Sequence, residues 1–224
     1  MSSSLKDKSF FVFSCLNSNI FLSSFLTKKS NKLPILPKGN SYSIISRTVD
    51  DAAGEAFDKG AKILGLNYPG GPEIEKAAIH GNNTKYKFTI PNVKSNPNNF
   101  SFSGIKTSLL YLIKRINNNE FNQNFSDIAA SYQEIIIDTL FNKLLFVLNN
   151  SNVKNVSIVG GVSANKRFRK KAQIFEKLHN IYIEFPNMKY CTDNAAMIAM
   201  AGYLKVKNNI SSPNDIVPEP NLNF

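Results

Sequence analysis

The sequence predicts a mixed α/β fold, because segments with helical spacing alternate with short apolar runs that end at glycine. Apolar residues recur on one face over residues 126–148, which predicts a long amphipathic helix. The run Val156–Val159 is short and apolar, and Gly160-Gly161 follows it directly. A second such run covers Ile181–Phe185. A strand, a glycine turn, a helix and a further strand in this order are typical of an α/β domain.

The remaining elements are predicted from the same kind of signal. The first helix starts at Thr48, a suitable N-cap ahead of the acidic first-turn residues Asp50 and Asp51. It ends at Gly65, since glycine readily adopts the left-handed conformation that terminates helices. The others are a short helix over Glu73–Ala78, a strand over Tyr86–Ile90, helices over 105–116 and Asp193–Val206, and loops at Tyr68–Pro72 and Asn117–Asn119.

The chain is expected to consist of three parts. Residues 1–40 are rich in Ser, Phe, Asn and Lys and have no clear helical or strand period, so we expect an unmatched, poorly ordered or ragged N-terminal segment. Residues 41–210 contain the predicted helices and strands and form the folded lobe. Residues 211–224 contain three prolines and are expected to be an extended tail.

Composition limits the classes of protein to which the chain can belong. Its 224 residues include no run of 18 apolar residues, so neither a transmembrane helix nor a membrane partner is expected. The two cysteines, Cys15 and Cys191, form no C-x-x-C pair, which favours a reducing, cytoplasmic location over a disulfide framework. The formal net charge is +11, of which residues 1–46 carry +5. This charge fits a nucleic-acid partner, but it also follows from a composition rich in lysine.

The segment from Gly160 to Lys166 is a candidate ligand-binding turn. Two glycines after a strand let the backbone approach a ligand closely, and the N-terminus of the next helix offers free N–H groups to a phosphate. Asn165 has a side chain that can hydrogen-bond a base or a ribose. A plain strand-to-helix turn, with Ser163 capping a helix that starts near Ala164, has the same pattern, and spacing alone does not distinguish the two.

Acidic residues of the first predicted helix form a second candidate site. Asp51, Glu55 and Asp58 are spaced to share one helix face, where their carboxylates repel one another unless they meet cations, a ligand or water. A solvated face is one interpretation. A ligand site is the other, because the Pro69–Pro72 loop follows closely and can fold back over this helix.

Other charged residues leave further alternatives open. Asp193 lies at the start of a predicted helix, where it serves either as a cap or as a metal ligand. His80 and His179 lie in unrelated surroundings and give no His-x-x-x-His pair. A basic run follows the glycine turn and is either a solvated helix face or a contact for a phosphate backbone: Lys166, Arg167, Arg169, Lys170 and Lys171.

Six ordered motifs between Tyr42 and Tyr203 together resemble the TsaD family, whose members attach threonylcarbamoyl to a tRNA adenosine. Their order and spacing make the resemblance specific. The motifs are Arg47–Lys59 (RTVDDAAGEAFDK), Tyr68–Pro72 (YPGGP), Phe100–Thr107 (FSFSGIKT), Asp127–Gln133 (DIAASYQ), Gly160–Asn165 (GGVSAN) and Cys191–Ala199 (CTDNAAMIA).

The resemblance implies a fold, a reaction and a set of site residues. The fold is actin/Hsp70/sugar-kinase-like (ribonuclease H-like), and this chain would be its second lobe with the N-terminal lobe largely missing. The reaction is transfer of threonylcarbamoyl from threonylcarbamoyl-adenylate to the exocyclic amine of the adenosine beside the anticodon. By the family pattern Asp58, Gly71, Glu75 and Asn165 fall at adenylate-binding positions, with Glu75 where the family often has aspartate. Asp193 falls at the position of a divalent metal, iron or zinc.

The chain also departs from the family pattern. Family members are longer, and their N-terminal lobe carries a His-x-x-x-His metal pair and a Ser-Gly-Gly-His loop, neither of which occurs in residues 1–40. The metal site is therefore expected to be incomplete, because a single carboxylate binds metal poorly in water. The implied partners are tRNA, TsaB-like and TsaE-like proteins and a separate N-terminal lobe. The alternatives are a non-catalytic remnant that binds nucleotide or docks to a partner, and a different ATPase of the same fold.

Overall fold

The computed structural model describes residues 8–14, 19–25, 42–94, 97, 99–151, 153–207 and 209. Contacts divide the chain into two compact units, one that ends at Thr192 and one that begins at Asp193. In the described residues the first unit contains a sheet and α-helices α1 to α5, and the second contains the helix α6.

A mixed five-stranded sheet runs through the first unit in the order β3-β2-β1-β4-β5. The strands are β1 (Lys8–Ser14), β2 (Asn19–Phe25), β3 (Tyr42–Ser46), β4 (Asn155–Val159) and β5 (Tyr182–Glu184). The first three pair antiparallel, whereas β4 lies parallel to both β1 and β5. Val156, Ser157 and Ile158 are all buried, so β4 is covered on both faces of the sheet.

Two of the five strands lie within residues 1–40, where the sequence predicted no regular element. The first, β1, contains the unbroken apolar run Phe10–Phe13. Such a run has no alternation between faces, so periodicity does not identify it as a strand. It pairs in parallel with β4, which lies far along the chain. A local sequence pattern gives no information about such a distant partner. Residues 1–7, 15–18 and 26–41 lie outside the described part of the chain.

Three helices follow β3: α1 (Ala53–Ile63), α2 (Gly70–Ala77) and α3 (Ser103–Arg115). The first begins later than the predicted cap Thr48, because the residues ahead of it have other partners. Thr48 forms a parallel β-bridge with Phe100, and Asp50 Oδ1 accepts the backbone N–H of Phe102 at 2.7 Å, just before α3. The end of α1 follows the prediction, since Gly65 takes a φ of 75°.

The strand predicted over Tyr86–Ile90 is wrong, because this segment is irregular. The N–H of Tyr86 donates to Ser131 Oγ at 3.2 Å, and the Phe88 ring packs edge-on against Tyr132 with centroids 6.0 Å apart. Aromatic and β-branched residues favour strands only where a packing surface and a pairing strand are available. Here packing against a helix takes the place of strand pairing.

The longest helix, α4, spans Asn118–Asn149 and begins well before the predicted start at residue 126. Asn117 Oδ1 accepts the N–H of Glu120 at 2.9 Å, so the predicted Asn117–Asn119 loop is in fact the capped start of the helix. Every residue from Ile128 to Ile137 is buried. A helix segment buried on all sides forms the centre of the unit.

Helix α1 approaches α4 closely at Gly60. The buried Tyr132 ring occupies the space of a side chain there, and a Cβ on Gly60 would lie 2.1 Å from Tyr132 Cε1. The Tyr132 hydroxyl donates to the Ala56 carbonyl at 2.7 Å. Only glycine fits at this position, and the close approach sets the position of α1 on the core.

The predicted βα unit is present in the structure. It consists of strand β4, a 3₁₀ turn at Gly161–Ala164, helix α5 (Lys166–His179) and strand β5. The Phe141 ring of α4 lies 5.1 Å from that of Phe168 and 4.9 Å from that of Phe175. Burying a side chain of this size contributes about 1.5–3 kcal/mol. This aromatic cluster fixes α5 against α4, and with it the turn between β4 and α5.

The second unit contains α6 (Ala195–Lys207), close to the helix predicted over Asp193–Val206. Asn194 Oδ1 accepts the N–H of Met197 at 3.0 Å, so Asn194 rather than Asp193 caps the helix. The predicted tail, residues 211–224, lies outside the described residues. Among the described residues, no helix has the length and apolar character needed to cross a membrane.

Candidate functional site

A cavity of about 260 Å³ lies between α1, the start of α2 and the turn that follows β4. It is lined by Gly54, Phe57, Asp58, Pro69, Gly71, Pro72, Glu75, Gly161, Val162, Ala164, Asn165 and Thr192. Most of these groups are small or apolar, and a few are polar, which is the usual composition of a small-molecule site. Asp58, Gly71, Glu75 and Asn165, which the family pattern assigned to ligand binding, thus line one cavity, although their binding role stays a prediction.

Asp58 lies in the second half of α1 and faces the start of α2. Its Oδ1 accepts the backbone N–H of Gly70 at 2.7 Å. This bond pairs one of the N–H groups that a helix start leaves free. The Pro69–Pro72 segment therefore does fold back over α1, as the second interpretation of the acidic helix expected.

The other acidic residues of this group have different partners. Asp51 precedes α1 and is not part of it. Lys59 Nζ lies between two carboxylates, 2.5 Å from Asp51 Oδ1 and 2.8 Å from Glu55 Oε1. Lys106 Nζ lies 3.7 Å from Asp51. Lysine side chains therefore relieve the expected repulsion. Of the three carboxylates, only that of Asp58 lines the cavity.

Gly71 and Glu75 bring α2 into the site. A Cβ added to Gly71 would meet no atom within 4 Å, so the space beside this residue is open. Glu75 Oε1 accepts the backbone N–H of Lys166 at 2.6 Å. Helix α2 thus reaches across to the first residue of α5 and joins two walls of the cavity.

The two glycines after β4 have different roles. Gly160 has a φ of 94°, a conformation that residues with a Cβ rarely adopt, and its carbonyl accepts the N–H of Ser163 at 2.9 Å. Gly161 lines the cavity, and a Cβ there would meet no atom within 4 Å. Gly160 therefore makes the turn, whereas Gly161 leaves room for a ligand.

Asn165, and not Ser163, caps α5, so the predicted Ser163 cap is wrong. Asn165 Oδ1 accepts the N–H of Phe168 at 2.9 Å, and the helix begins at Lys166. Ser163 lies within the 3₁₀ turn, which moves the helix start beyond it. Asn165 Nδ2 donates to Gln133 Oε1 at 2.7 Å, and both side chains are buried.

Four contributors to this site were not predicted from the sequence. Gly54, Phe57 and Thr192 line the cavity, and Gln133 hydrogen-bonds to Asn165 from behind the cavity wall. Phe57 is also a buried residue of α1, so its type and spacing do not distinguish a site residue from a core residue. For Gln133 a signal was available, because it is the polar residue that ends the Asp127–Gln133 motif and lies within the long predicted helix.

The basic run of α5 is only partly a solvated face. Arg167 donates to both oxygens of Glu134 at 2.7 and 2.8 Å, and Lys171 Nζ donates to Glu134 at 2.6 Å and also contacts Asp138. Burial raises the pKa of Glu134, but the hydrogen bonds from Arg167 and Lys171 outweigh it and lower this pKa to about 2. This partly buried ion network joins α4 to α5.

Arg169 is also turned inward. Its Nε donates to the Ser163 carbonyl at 2.7 Å, and its Nη2 donates to the Pro186 carbonyl at 2.8 Å and lies 3.3 Å from Cys191 Sγ. The guanidinium lies over the Phe185 ring, 4.8 Å from its centroid. One side chain thus joins the glycine turn to the segment that ends at Thr192.

The metal predicted from the family pattern has no complete site in the described residues. Asp193 belongs to the second unit and precedes α6. In the described ranges, no group of three or more His, Cys, Asp and Glu side chains comes together to hold a metal ion. The described residues by themselves therefore supply fewer than the three ligands that an iron or zinc site in a protein commonly uses.

The family model and the curated relatives that match the chain agree on one family. A family model described as TsaD, tRNA N6-adenosine threonylcarbamoyltransferase, matches residues 31–200. Proteins named tRNA N6-adenosine threonylcarbamoyltransferase from Thermosipho africanus (strain TCF52B) and Caldicellulosiruptor saccharolyticus are 45% and 46% identical to the chain. The matches cover 84% and 80% of this chain but 56% and 53% of the relatives. The chain therefore spans about half the length of these curated relatives.

One solved structure supports the fold. The crystal structure of T. kodakarensis HypF matches with a TM-score of 0.54 over 77% of this chain and 22% of that one. The sequence identity is 20%, so the likeness concerns the fold alone. The mixed α/β architecture predicted from the sequence is thereby confirmed.

Proposed function

Because this chain belongs to the TsaD family of tRNA N6-adenosine threonylcarbamoyltransferases, we propose that it binds threonylcarbamoyl-adenylate and takes part in transferring threonylcarbamoyl to tRNA. The acceptor is the exocyclic amine of the adenosine beside the anticodon. We further propose that the chain has the actin/Hsp70/sugar-kinase-like fold and forms its second lobe. A tRNA substrate also makes the cytoplasm the expected location.

The observation that supports this proposal best is the meeting of Asp58, Gly71, Glu75 and Asn165 around one cavity. They come from α1, α2 and the turn before α5, which are distant in sequence. The cavity volume of about 260 Å³ is near the lower end of ligand pockets. It suits the nucleoside part of an adenylate, with the acyl phosphate extending beyond it.

Each of these residues has a role that its geometry supports. Asp58 keeps one carboxylate oxygen besides the one that accepts from Gly70, and this oxygen can accept a ribose hydroxyl. Gly71 and Gly161 leave open space where the ligand can approach the backbone. Asn165 can donate a hydrogen bond to the ligand, while Glu75 holds the start of α5 in place.

The proposed transfer forms one bond and breaks another. The adenosine N6 attacks the carbonyl carbon of the threonylcarbamoyl group, and the bond from that carbon to the phosphate oxygen breaks. AMP leaves with the bonding electron pair, and the N6 proton passes to water. The chain binds and orients the adenylate so that this carbon is presented to the tRNA, which lowers the entropic part of the barrier.

The charge of the chain supports tRNA as its partner. The net charge is +11. Lys166 and Lys170 are exposed at the start of α5, and in the part of the chain that the structure describes they form no ion pair. Lysines of this kind can neutralise backbone phosphates near the cavity. TsaB-like and TsaE-like proteins and a separate N-terminal lobe are proposed as further partners on the basis of the family.

A second candidate function is binding of an adenylate or docking to a partner without catalysis. The contacts that line the cavity are contacts for binding, and they support this function as well as the first. It keeps the same cavity and the same ligand contacts. The two functions differ only in whether transfer takes place.

A transfer assay separates the two. The full chain is mixed with tRNA and threonylcarbamoyl-adenylate, and the modified nucleoside is measured by mass spectrometry after digestion, with and without TsaB-like and TsaE-like proteins. We expect product above the protein-free control that is lost in an Asn165→Asp variant. Adenylate binding without product would support the non-catalytic function, and neither binding nor product would reject both.

A further inference from the structure

A buried pair of side chain amides lies behind the wall of the cavity. Asn165 Nδ2 donates to Gln133 Oε1 at 2.7 Å, and the two residues are 7% and 5% exposed. Asn165 lines the cavity, whereas Gln133 lies on α4 and does not. Gln133 is therefore in a position to act on a ligand only through Asn165.

The orientation of the Asn165 amide follows from the backbone of α5. The N–H of Phe168 can only donate, and it lies 2.9 Å from the side chain oxygen of Asn165. The oxygen must therefore face the helix, and the nitrogen must face Gln133. Gln133 presents its oxygen in return, so the Asn165 amide is held between two partners, the Phe168 N–H on its oxygen and Gln133 Oε1 on its nitrogen.

This arrangement decides what Asn165 can offer to a ligand. The Asn165 oxygen is engaged by the helix start, and one of the two amide hydrogens is engaged by Gln133. The second amide hydrogen remains, and the described residues give it no partner. Asn165 is thus available to a ligand as a hydrogen-bond donor.

The neighbour of Gln133 adds a second link between the same two helices. Glu134 accepts hydrogen bonds from Arg167 and Lys171, which lie in the first turns of α5. These contacts hold the start of α5 against α4, so the distance between Gln133 and Asn165 can change only little. A donor that is already oriented loses less entropy when a ligand binds.

We propose that Gln133 is a positioning residue that holds the Asn165 amide as a donor to an acceptor atom of the bound adenylate. The inference rests on the proposed function and deepens it. The acceptor on the ligand is a ring nitrogen or an oxygen of the ribose or phosphate. Without Gln133, the Asn165 amide group would lose a buried partner and could turn away from the cavity.

The test compares three substitutions in the full chain by calorimetric titration with AMP. Gln133→Met keeps the length of the side chain and removes the acceptor, and we expect it to weaken AMP binding about tenfold. Gln133→Glu keeps an acceptor oxygen at the same reach and should restore binding to within about threefold of the wild type. Gln173→Met, the same change at an exposed position of α5, is the matched control and should have no effect.

A double-variant cycle tests whether Gln133 acts through Asn165. Asn165→Ser keeps a cap for α5 but removes the amide, so adding Gln133→Met to it should weaken AMP binding no further. Thermal melting of each variant shows which of them are folded. In the absence of ligand, the Asn165 side chain amide signal in a ¹H–¹⁵N spectrum should move in Gln133→Met and stay near its wild-type position in Gln133→Glu.

Three results would overturn the inference. Unchanged AMP binding in a folded Gln133→Met variant would show that the contact has no positioning role. An equal loss with and without Asn165→Ser would show that Gln133 acts by another route. If the wild-type chain itself binds no AMP, the proposed function fails and this inference fails with it, which distinguishes that outcome from the first two.

Discussion

The backbone N–H of Gly70 donates to Asp58 Oδ1 at 2.7 Å, which ties the start of α2 to α1 at the edge of the cavity. The two helices are close here, because a Cβ on Gly70 would lie 2.6 Å from Asp58 Cα. One carboxylate therefore has a structural partner through one oxygen and is free to meet a ligand through the other.

These two roles of Asp58 can be separated by substitution. Asp58→Asn keeps an acceptor for Gly70 and should change the free energy of unfolding little, whereas Asp58→Ala should lower it by about 1 kcal/mol. Both should weaken AMP binding, because neither offers a charged acceptor to the ribose. Urea unfolding and calorimetry measure the two effects. Equal stability of the two variants would contradict the structural role.

Gly161 gives a change that affects the ligand and not the fold. Its added Cβ would meet no protein atom within 4 Å but would enter the cavity. We expect Gly161→Ala to leave the melting temperature unchanged or slightly higher and to weaken AMP binding. Gly202→Ala, whose Cβ also meets nothing within 4 Å but which lies in α6, is the control. Undiminished AMP binding in Gly161→Ala would place the ligand elsewhere.

A substitution at Gly60 should affect the fold, in contrast to one at Gly161. A Cβ at this position would lie 2.1 Å from the Tyr132 ring, which is rigid and buried. Gly60→Ala should therefore lower the free energy of unfolding by at least about 2 kcal/mol through overpacking. Adding Tyr132→Leu should recover part of this loss, because the ring that clashes is removed. If the two losses simply add in the double variant, the clash is not the cause.

The ion network of Glu134 predicts how stability depends on pH. The pKa of Glu134 is about 2 in the folded chain and 4.5 ordinarily, so its carboxylate favours the folded state above pH 4.5. This contribution, about 1–2 kcal/mol once solvent screening at the partly exposed Arg167 and Lys171 is included, is lost as the pH falls from 4.5 towards 2. Unfolding measured across this range should show a fall in stability that is shallower in Glu134→Gln.

A matched variant checks that this effect belongs to Glu134. Glu120 is exposed in the first turn of α4, and Glu120→Gln should leave the pH dependence close to that of the wild type. At neutral pH, Glu134→Gln should also lower the free energy of unfolding by about 1–2 kcal/mol, because Arg167 and Lys171 lose their charged partner. The same steep fall in Glu134→Gln as in the wild type would show that other carboxylates cause it.

The βα unit and the cavity residues could both be predicted from the sequence, but for different reasons. Residues 156–185 follow local patterns, namely apolar runs, two glycines and helical spacing, and these predicted β4, α5 and β5. Asp58, Gly71, Glu75 and Asn165 came from a family pattern, and the fold brings them to one cavity. Composition and spacing alone would not have joined them.

The features that were missed depend on contacts between distant segments. Residues Phe10–Phe13 pair with β4 far along the chain, and their unbroken apolar run has no period of its own. Thr48 and Asp50 look like the start of α1 but bond to the region just before α3. Ser163 looks like a cap, yet a 3₁₀ turn transfers that role to Asn165. In each case a tertiary partner outweighed a local preference.

The proposed function requires an adenylate to bind in the cavity between α1, α2 and the turn after β4. A titration of the ¹⁵N-labelled full chain with AMP, followed by its ¹H–¹⁵N spectrum, measures this binding residue by residue. We expect saturable shifts in the amide signals of Gly54, Gly71, Gly161 and Ala164, which line the cavity, and small changes for Leu110 and Tyr111 on α3, which do not. The absence of shifts, or shifts confined to residues outside the cavity, would contradict it.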